Sequence, residues 1–156
     1  MSLYSSFTQL ASNIAAKNIT MRTQMVAILV KGGNPIAFSS NSIRYKRGTS
    51  LFKRSVHAEA ALIADYAHQL NGGKLLLYRF NRNDKIRIPK TSAPCKYCAH
   101  VLAATKLSQI IFKEKDGSIA SVRPYNFNVL SCNPSFLTTI KEDDRSKRYK
   151  NTRRDS

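Results

Sequence analysis

Two cysteines three positions apart, Cys95 and Cys98 in "TSAPCKYCAHVL", follow a proline and open an apolar helical pattern. That spacing at a helix start puts both sulfurs on one side, where they can chelate one ion. The positive end of the helix also favours thiolate over thiol. Alone, the pair fits a redox dithiol, half of a structural zinc site or two core cysteines. The residues that complete a site stand upstream in "VHAEAAL", where His57 and Glu59 begin another helical pattern. Three N/S ligands, His57, Cys95 and Cys98, leave tetrahedral zinc with an open position, the catalytic arrangement. Water held at such a position loses its proton near neutral pH, and a carboxylate beside the histidine can take that proton and pass it to a departing group. Mid-helix, residues two apart point roughly 200° apart. His57 and Glu59 can therefore converge only where the helix starts, and Ser55 is expected as its N-cap. A closed structural site would need a fourth protein ligand, Cys132 or His100, and would leave Glu59 without a role. By themselves His68 and His100 read as helix-surface or satisfied core residues. Cys132 reads as a small buried hydrophobe, and Tyr97 as a packing or pocket-rim residue.

These side chains need elements to hold them. Tyr4, Phe7, Leu10, Ala11, Ile14 and Ala15 fall at helical spacing, which predicts an amphipathic helix over 4–18. "QMVAILVKGGNPIAFSS" predicts two apolar strands about a Gly-Gly turn, and 41–54 reads as a polar, basic loop. "SVHAEAALIADYAHQL" is a helix that Asn71, Gly72 and Gly73 end, and "KLLLYRF" is a buried strand. A basic loop over 81–91 leads to the cysteine helix, which runs to about Lys106. "SQIIFKEKDGSIASVR" predicts a second hairpin about Asp116 and Gly117. So tight a turn makes those last two strands antiparallel. Asn133 and Pro134 can begin a short helix, and "KEDDRSKRYKNTRRDS" reads as a disordered charged tail. The expected organisation is one α/β domain over 1–140 and a basic tail over 141–156, with no internal repeat.

At 156 residues and 42% hydrophobic composition, the chain is long enough for one domain with a real core. Three cysteines, two of them in a C-x-x-C, do not make a secreted disulfide framework. The thiols are expected to be reduced and the protein intracellular, cytoplasmic or nuclear. No apolar run approaches the ~20 residues of a membrane span, and no signal-peptide core is visible. The Ser/Thr-rich start reads as an ordinary first helix rather than a transit peptide. The net charge is +17, and no Asp or Glu precedes Glu59. Such a field attracts polyanions and makes their binding salt-dependent, so the expected partner is a nucleic acid or nucleotide.

The combination of "HAE" with "PCKYC", on helices within an α-ββ-α-β-α-β-β order, resembles the cytidine deaminase-like superfamily over about residues 5–123. The resemblance implies a three-layer α/β/α fold with a mixed five-stranded sheet whose fourth and fifth strands are antiparallel. It implies zinc on His57, Cys95 and Cys98, with Glu59 as proton shuttle. Water would attack the ring carbon bearing the exocyclic amine, and ammonia would leave. Asn41 matches an asparagine that in many members touches the base or sugar, and the carbonyl of Ala93 would face the leaving amine. An antiparallel last pair is similar to free-cytidine deaminases, plant RNA-editing domains and several bacterial DNA-deaminase toxins, which favours cytosine over adenine. Free-cytidine deaminases carry N-x-E after the second strand, whereas here Ile43 and then Arg44 stand in its place. With Arg44, Lys46, Arg47, Lys53 and Arg54 following, phosphate suits this loop better than a bare sugar. A cytosine-containing single strand of DNA or RNA is the first expectation, with Tyr45, Phe52, Tyr78 and Phe80 as candidate stacking residues. For Tyr78 and Phe80 a buried strand is the stronger reading. Free cytidine, deoxycytidine or dCMP is the alternative substrate, and a non-catalytic zinc-stabilised nucleic-acid-binding module the third reading. Members are commonly dimers or tetramers, and no stretch of this sequence marks an interface.

Overall fold

The computed structural model describes residues 2–19, 21–45, 53–84 and 88–127, with backbone alone at 43–45 and 53–55. Its elements in order are α1 (Leu3–Ala16), β1 (Thr23–Lys31), β2 (Asn34–Ser40), β3 (Ser42–Tyr45), β4 (Lys53–Val56), α2 (Ala58–Tyr66), β5 (Lys74–Asn81), α3 (Lys96–Ala103), β6 (Gln109–Lys113) and β7 (Ile119–Val122). Short 3-10 turns follow α2 at Ala67–Gln69 and β7 at Pro124–Asn126. Lys46, Arg47, Phe52, Lys85, Arg87, Cys132, the helix expected at Asn133 and the tail over 141–156 lie outside the described residues.

β1 is apolar on both faces, as a central strand must be: Ala27 and Leu29 point one way, Val26, Ile28 and Val30 the other. It pairs antiparallel with β2 and with β5. Gly32 and Gly33, at φ 57° and 78°, make the β1–β2 turn of the handedness that matches strand twist. β5 pairs in parallel with β6, which pairs antiparallel with β7, so the sheet order is β2-β1-β5-β6-β7. The antiparallel last pair expected from the Asp116–Gly117 turn is present. α1 covers one face through Tyr4, Ala11 and Ala15, packed on Val26, Ile28, Leu76, Tyr78 and Phe80. α2 and α3 cover the other, where Ala58, Leu62, Ala99 and Leu102 meet Leu29, Leu75, Leu77, Ile110 and Phe112. The result is the three-layer α/β/α arrangement.

Two expectations need correction. The basic stretch over 41–54 is not simply a loop: β3 and β4 pair as a separate antiparallel ribbon, with Arg44 opposite Arg54 and Ser42 opposite Val56. Like charges on opposing positions hid this pairing, because they run against the usual cross-strand preference. Ser55 lies in β4 and does not cap α2; the capping position belongs to His57. Tyr78 and Phe80 are fully buried, as their strand pattern favoured, and cannot stack on a base.

α1 is fastened through hydroxyl groups as well as apolar contacts. The Tyr4 hydroxyl donates to the Leu77 carbonyl at 2.9 Å, and Tyr78 donates to the Tyr4 carbonyl at 2.7 Å. Their rings stack at 4.2 Å. Burial pushes the Tyr4 phenol up to about 12, with the Ser92 hydrogen bond opposing it. The unfolded chain therefore ionises first, near 10, and Tyr4's contribution to stability is complete below that pH and lost as pH climbs towards 12. Tyr4→Phe should cost about 1 kcal/mol at neutral pH for the lost hydrogen bond. It should also flatten part of the alkaline fall in urea-unfolding stability; an unchanged alkaline profile would refute the assignment.

Candidate metal centre

Two helices begin where the candidate ligands are. His57 is the N-cap residue of α2, with φ −71° and ψ 149°, and Cys95 is the N-cap residue of α3, with φ −69° and ψ 167°. Extended backbone at both caps turns the side chains away from the helix axes and towards each other. His57 Nδ1 lies 3.4 Å from Cys95 Sγ and 3.4 Å from Cys98 Sγ. The three donor atoms all fall within 4.8 Å of one another. Tetrahedral zinc, with bonds of about 2.1 Å to nitrogen and 2.3 Å to sulfur, requires N–S edges of about 3.6 Å. The donor set is thus already spaced for that ion.

Electrostatics agree with the spacing. Cys95 Sγ accepts the backbone N–H of Cys98 at 3.4 Å, so the sulfur itself caps α3. Hydrogen bonding from the Cys98 thiol, and then from His57, pulls the Cys95 thiol down to about 4. Cys98 is pushed up in turn, first by its hydrogen bond to Cys95 and then by burial. Two adjacent thiolates repel, and a divalent cation is the group that lets both ionise.

Glu59, the second residue of α2, is fully buried. Neither carboxylate oxygen has a hydrogen-bond partner among the described residues. Burial pushes its carboxyl above the ordinary range; its own backbone N–H, then His57, and most weakly the Cys98 thiol pull the other way, although neither the N–H nor the thiol reaches hydrogen-bonding geometry. An unpartnered buried carboxylate costs stability rather than adding to it. His100 is exposed on α3 and is not part of the cluster, and among the described residues the cluster has no fourth protein ligand.

Residues that the sequence did not single out hold the site in place. Ser92, three positions before Cys95 and 1% exposed, donates to the Leu77 carbonyl at 2.7 Å and accepts from the Lys113 N–H at 2.9 Å. Its own N–H donates to the Lys113 carbonyl at 2.9 Å, and its hydroxyl lies 3.4 Å from that of Tyr4. One small side chain thus fixes the cysteine loop to β5 and β6 and approaches α1. Its only sequence signal was a polar residue between a strand and the cysteines.

Asn41 is brought next to the cluster by register: Ser42 pairs with Val56, so Asn41 and His57 flank the open end of the β3–β4 ribbon. Its side chain is largely engaged. Oδ1 accepts from Asn18 Nδ2 and from the Met25 N–H, both at 2.9 Å, while Nδ2 donates to the Thr23 carbonyl at 2.8 Å. Ala93 is half-buried and packs on the core beneath α2 and α3. Arg44 is on β3, Lys46 and Arg47 fall outside the described residues, and Tyr97 is exposed.

Residues 1–114 match the family described as the cytidine and deoxycytidylate deaminase zinc-binding region. Among solved structures, the chain is similar to the dCMP deaminase of cyanophage S-TIM5 in complex with dCMP and dUMP, with TM-score 0.51 and 18% identity over 75% of this chain and 89% of that one. It is also similar to the cytidine deaminase of Mycobacterium leprae, with TM-score 0.48 and 21% identity over 78% of this chain and 94% of that one. At 18% identity, the cyanophage likeness is one of fold. No curated protein matches the chain.

His57→Ala, Cys95→Ser and Cys98→Ser should each reduce zinc in the purified protein far below one ion per chain, measured by elemental mass spectrometry. Ser92→Ala should leave the ligands present but weaken zinc binding roughly tenfold, the low end of what losing an outer support costs. Full zinc retention in any of the ligand variants would rule out that residue as a ligand.

Proposed function

The chain belongs to the cytidine and deoxycytidylate deaminase zinc-binding family, and from that premise we propose that it deaminates cytosine in a phosphorylated substrate, a single strand of DNA or RNA first. The observation that carries the reading is Glu59, a wholly buried carboxylate without a hydrogen-bond partner among the described residues, two residues from the histidine of a three-donor cluster that could hold zinc. A closed, structural site would give such a carboxylate no purpose.

His57, Cys95 and Cys98 would hold the zinc. When bound, the metal supplies an activated water as nucleophile at neutral pH. Glu59 would take one proton from the attacking water as its oxygen bonds to the ring carbon bearing the amine, and pass that proton to the adjacent ring nitrogen. It would then carry the second proton from the new hydroxyl to the amine, so that the C–N bond breaks, the carbonyl of uracil forms and ammonia leaves. Asn41 has one amide hydrogen beyond its internal bond to Thr23, and that donor is the one it can offer a base or sugar. The Ala93 carbonyl would accept from the leaving amine. Arg44 on β3, and Lys46 and Arg47 that follow it in the sequence, would supply cations for phosphate; the β3–β4 ribbon starts beside Asn41 and returns directly into His57.

Two features support a polynucleotide. The net charge of +17 greatly exceeds what one nucleotide needs. Ile43 also stands where a free-nucleoside enzyme of similar pattern has its sugar-binding glutamate. Deamination of free dCMP or cytidine is the second reading, favoured by the family's own description.

The test is uracil formation by the zinc-loaded protein on single-stranded DNA, single-stranded RNA, cytidine, deoxycytidine and dCMP. Glu59→Gln should reduce turnover by roughly 10²–10⁴-fold, the range typical of losing a general acid–base, while retaining zinc. Uracil in a strand, suppressed by salt, is the expected result. Conversion of monomers alone would replace the strand reading with the nucleotide one, and an equally active Glu59→Gln would remove Glu59 from the chemistry.

A further inference from the structure

We propose that Arg22 and Arg82 form a phosphate-binding site at the sheet end that carries the metal cluster. The inference rests on the reading of a phosphorylated substrate and names where its phosphate is held.

The last pair of the β1–β5 ladder is Thr23 with Asn81. One step further, the Arg82 N–H donates to the Arg22 carbonyl at 3.0 Å, so the two arginines stand opposite each other as the ladder closes. Both are exposed. Like charges on opposing positions repel, and among the described residues no ion pair relieves either arginine. The chain has no Asp or Glu before Glu59, which is buried, and among the described residues the only ion pair is Lys90 with Asp84 at 3.5 Å.

Arg82 is also held in place. Its Nη1 donates to the Ile19 carbonyl at 2.6 Å, across the segment between α1 and β1. A guanidinium has five N–H donors, so most of the fork remains for an oxyanion, and tethering reduces the entropy lost when one binds. A planar fork matches phosphate in two-point contact as an ammonium does not.

Backbone and side-chain bonds connect this pair to the chemistry. Arg22 adjoins Thr23, whose carbonyl accepts from Asn41 Nδ2. Asn41 adjoins Ser42, which pairs with Val56, the residue before His57. Asn18 donates to both the carbonyl and Oδ1 of Asn41, at 2.8 and 2.9 Å, and so joins the same segment as Ile19. A phosphate held by the arginines would therefore brace the strand end against which Asn41 and His57 are set.

Phosphate oxyanion is the ligand chemistry. It can belong to the diester backbone of a strand or to the monoester of a free nucleotide, and two arms separate them. In the first, binding of a labelled oligothymidylate to the zinc-loaded full chain is titrated against salt, for wild type, Arg22→Ala, Arg82→Ala and Lys74→Ala. Lys74 removes the same charge at the opposite end of β5. Each arginine variant should weaken binding roughly tenfold and lower the slope of log K against log salt by about 0.7, the share of one single-strand phosphate contact. Lys74→Ala should produce neither the loss of affinity nor the change of slope. In the second arm, the ratio of kcat/KM for dCMP over deoxycytidine is compared across the same variants, and a fall with the arginines assigns the site to the monoester.

Arg82→Lys, which keeps charge without the fork, should lose most of the effect, and thermal unfolding checks that each variant folds. Equal losses from Lys74→Ala and Arg82→Ala would reduce the site to a diffuse field and overturn it. Arginine variants indistinguishable from wild type in both arms would overturn it too, while leaving the strand reading standing if wild type binds. A wild type that ignores the strand, but whose dCMP preference falls with the arginines, would keep the site and end the strand reading.

Discussion

A site made of one histidine and two cysteines exists only if the first turns of α2 and α3 meet, and that meeting depends on which sheet face the two helices share. α2 enters from the ribbon that follows β2, and α3 lies in the connection between the parallel strands β5 and β6. Both lay their apolar stripes on the face formed by Leu29, Leu75, Leu77 and Ile110. A parallel pair requires a crossover connection, and that connection here carries the cysteine segment back across the sheet. Their N-termini then point at one volume, where helix dipoles favour the anionic sulfurs.

Around that volume the fold accepts polar burial that a merely stable domain would avoid. Ser92, Asn41 and Gln24 are each at most 5% exposed, yet all three are satisfied by bonds to backbone or to Asn18. They act as rivets between elements: Ser92 between the cysteine loop and the sheet, Asn41 between β1 and the ribbon leading to His57. Fully paired polar groups of this kind specify one arrangement, because any slip leaves a buried donor or acceptor unmet. Glu59 is the exception, and the contrast is informative. The same interior that pairs these three polar groups leaves both Glu59 oxygens without a hydrogen-bond partner among the described residues.

Charge acts at a different range. The first 58 positions contribute no acid, and the ribbon places Arg44 opposite Arg54 while the β1–β5 ladder ends in Arg22 and Arg82. Such arrangements weaken the isolated fold a little and strengthen its attraction for polyanions much more. Among the described residues no helix is long and apolar enough to cross a membrane.

Much of this was determined by the sequence itself, because it depends on local rules. Periodicity placed α1 and the buried strands, Gly32–Gly33 and Asp116–Gly117 placed the hairpins, and the spacing of His57, Glu59, Cys95 and Cys98 marked helix starts. Convergence of His57 and Glu59 required a helix to begin at that point, and it does, with His57 rather than Ser55 as the cap. Tertiary structure decided the rest. Ser92 became a support only by meeting Leu77, 15 residues away, and coming within reach of Tyr4, 88 residues away. Asn41 was legible as a polar residue after a strand, but its engagement by Asn18, Thr23 and Met25 was not. The β3–β4 ribbon escaped a reading that expects opposite charges to face each other. Such bonds join positions far apart in the chain, and no local preference records a partner that only folding brings within 3 Å or so.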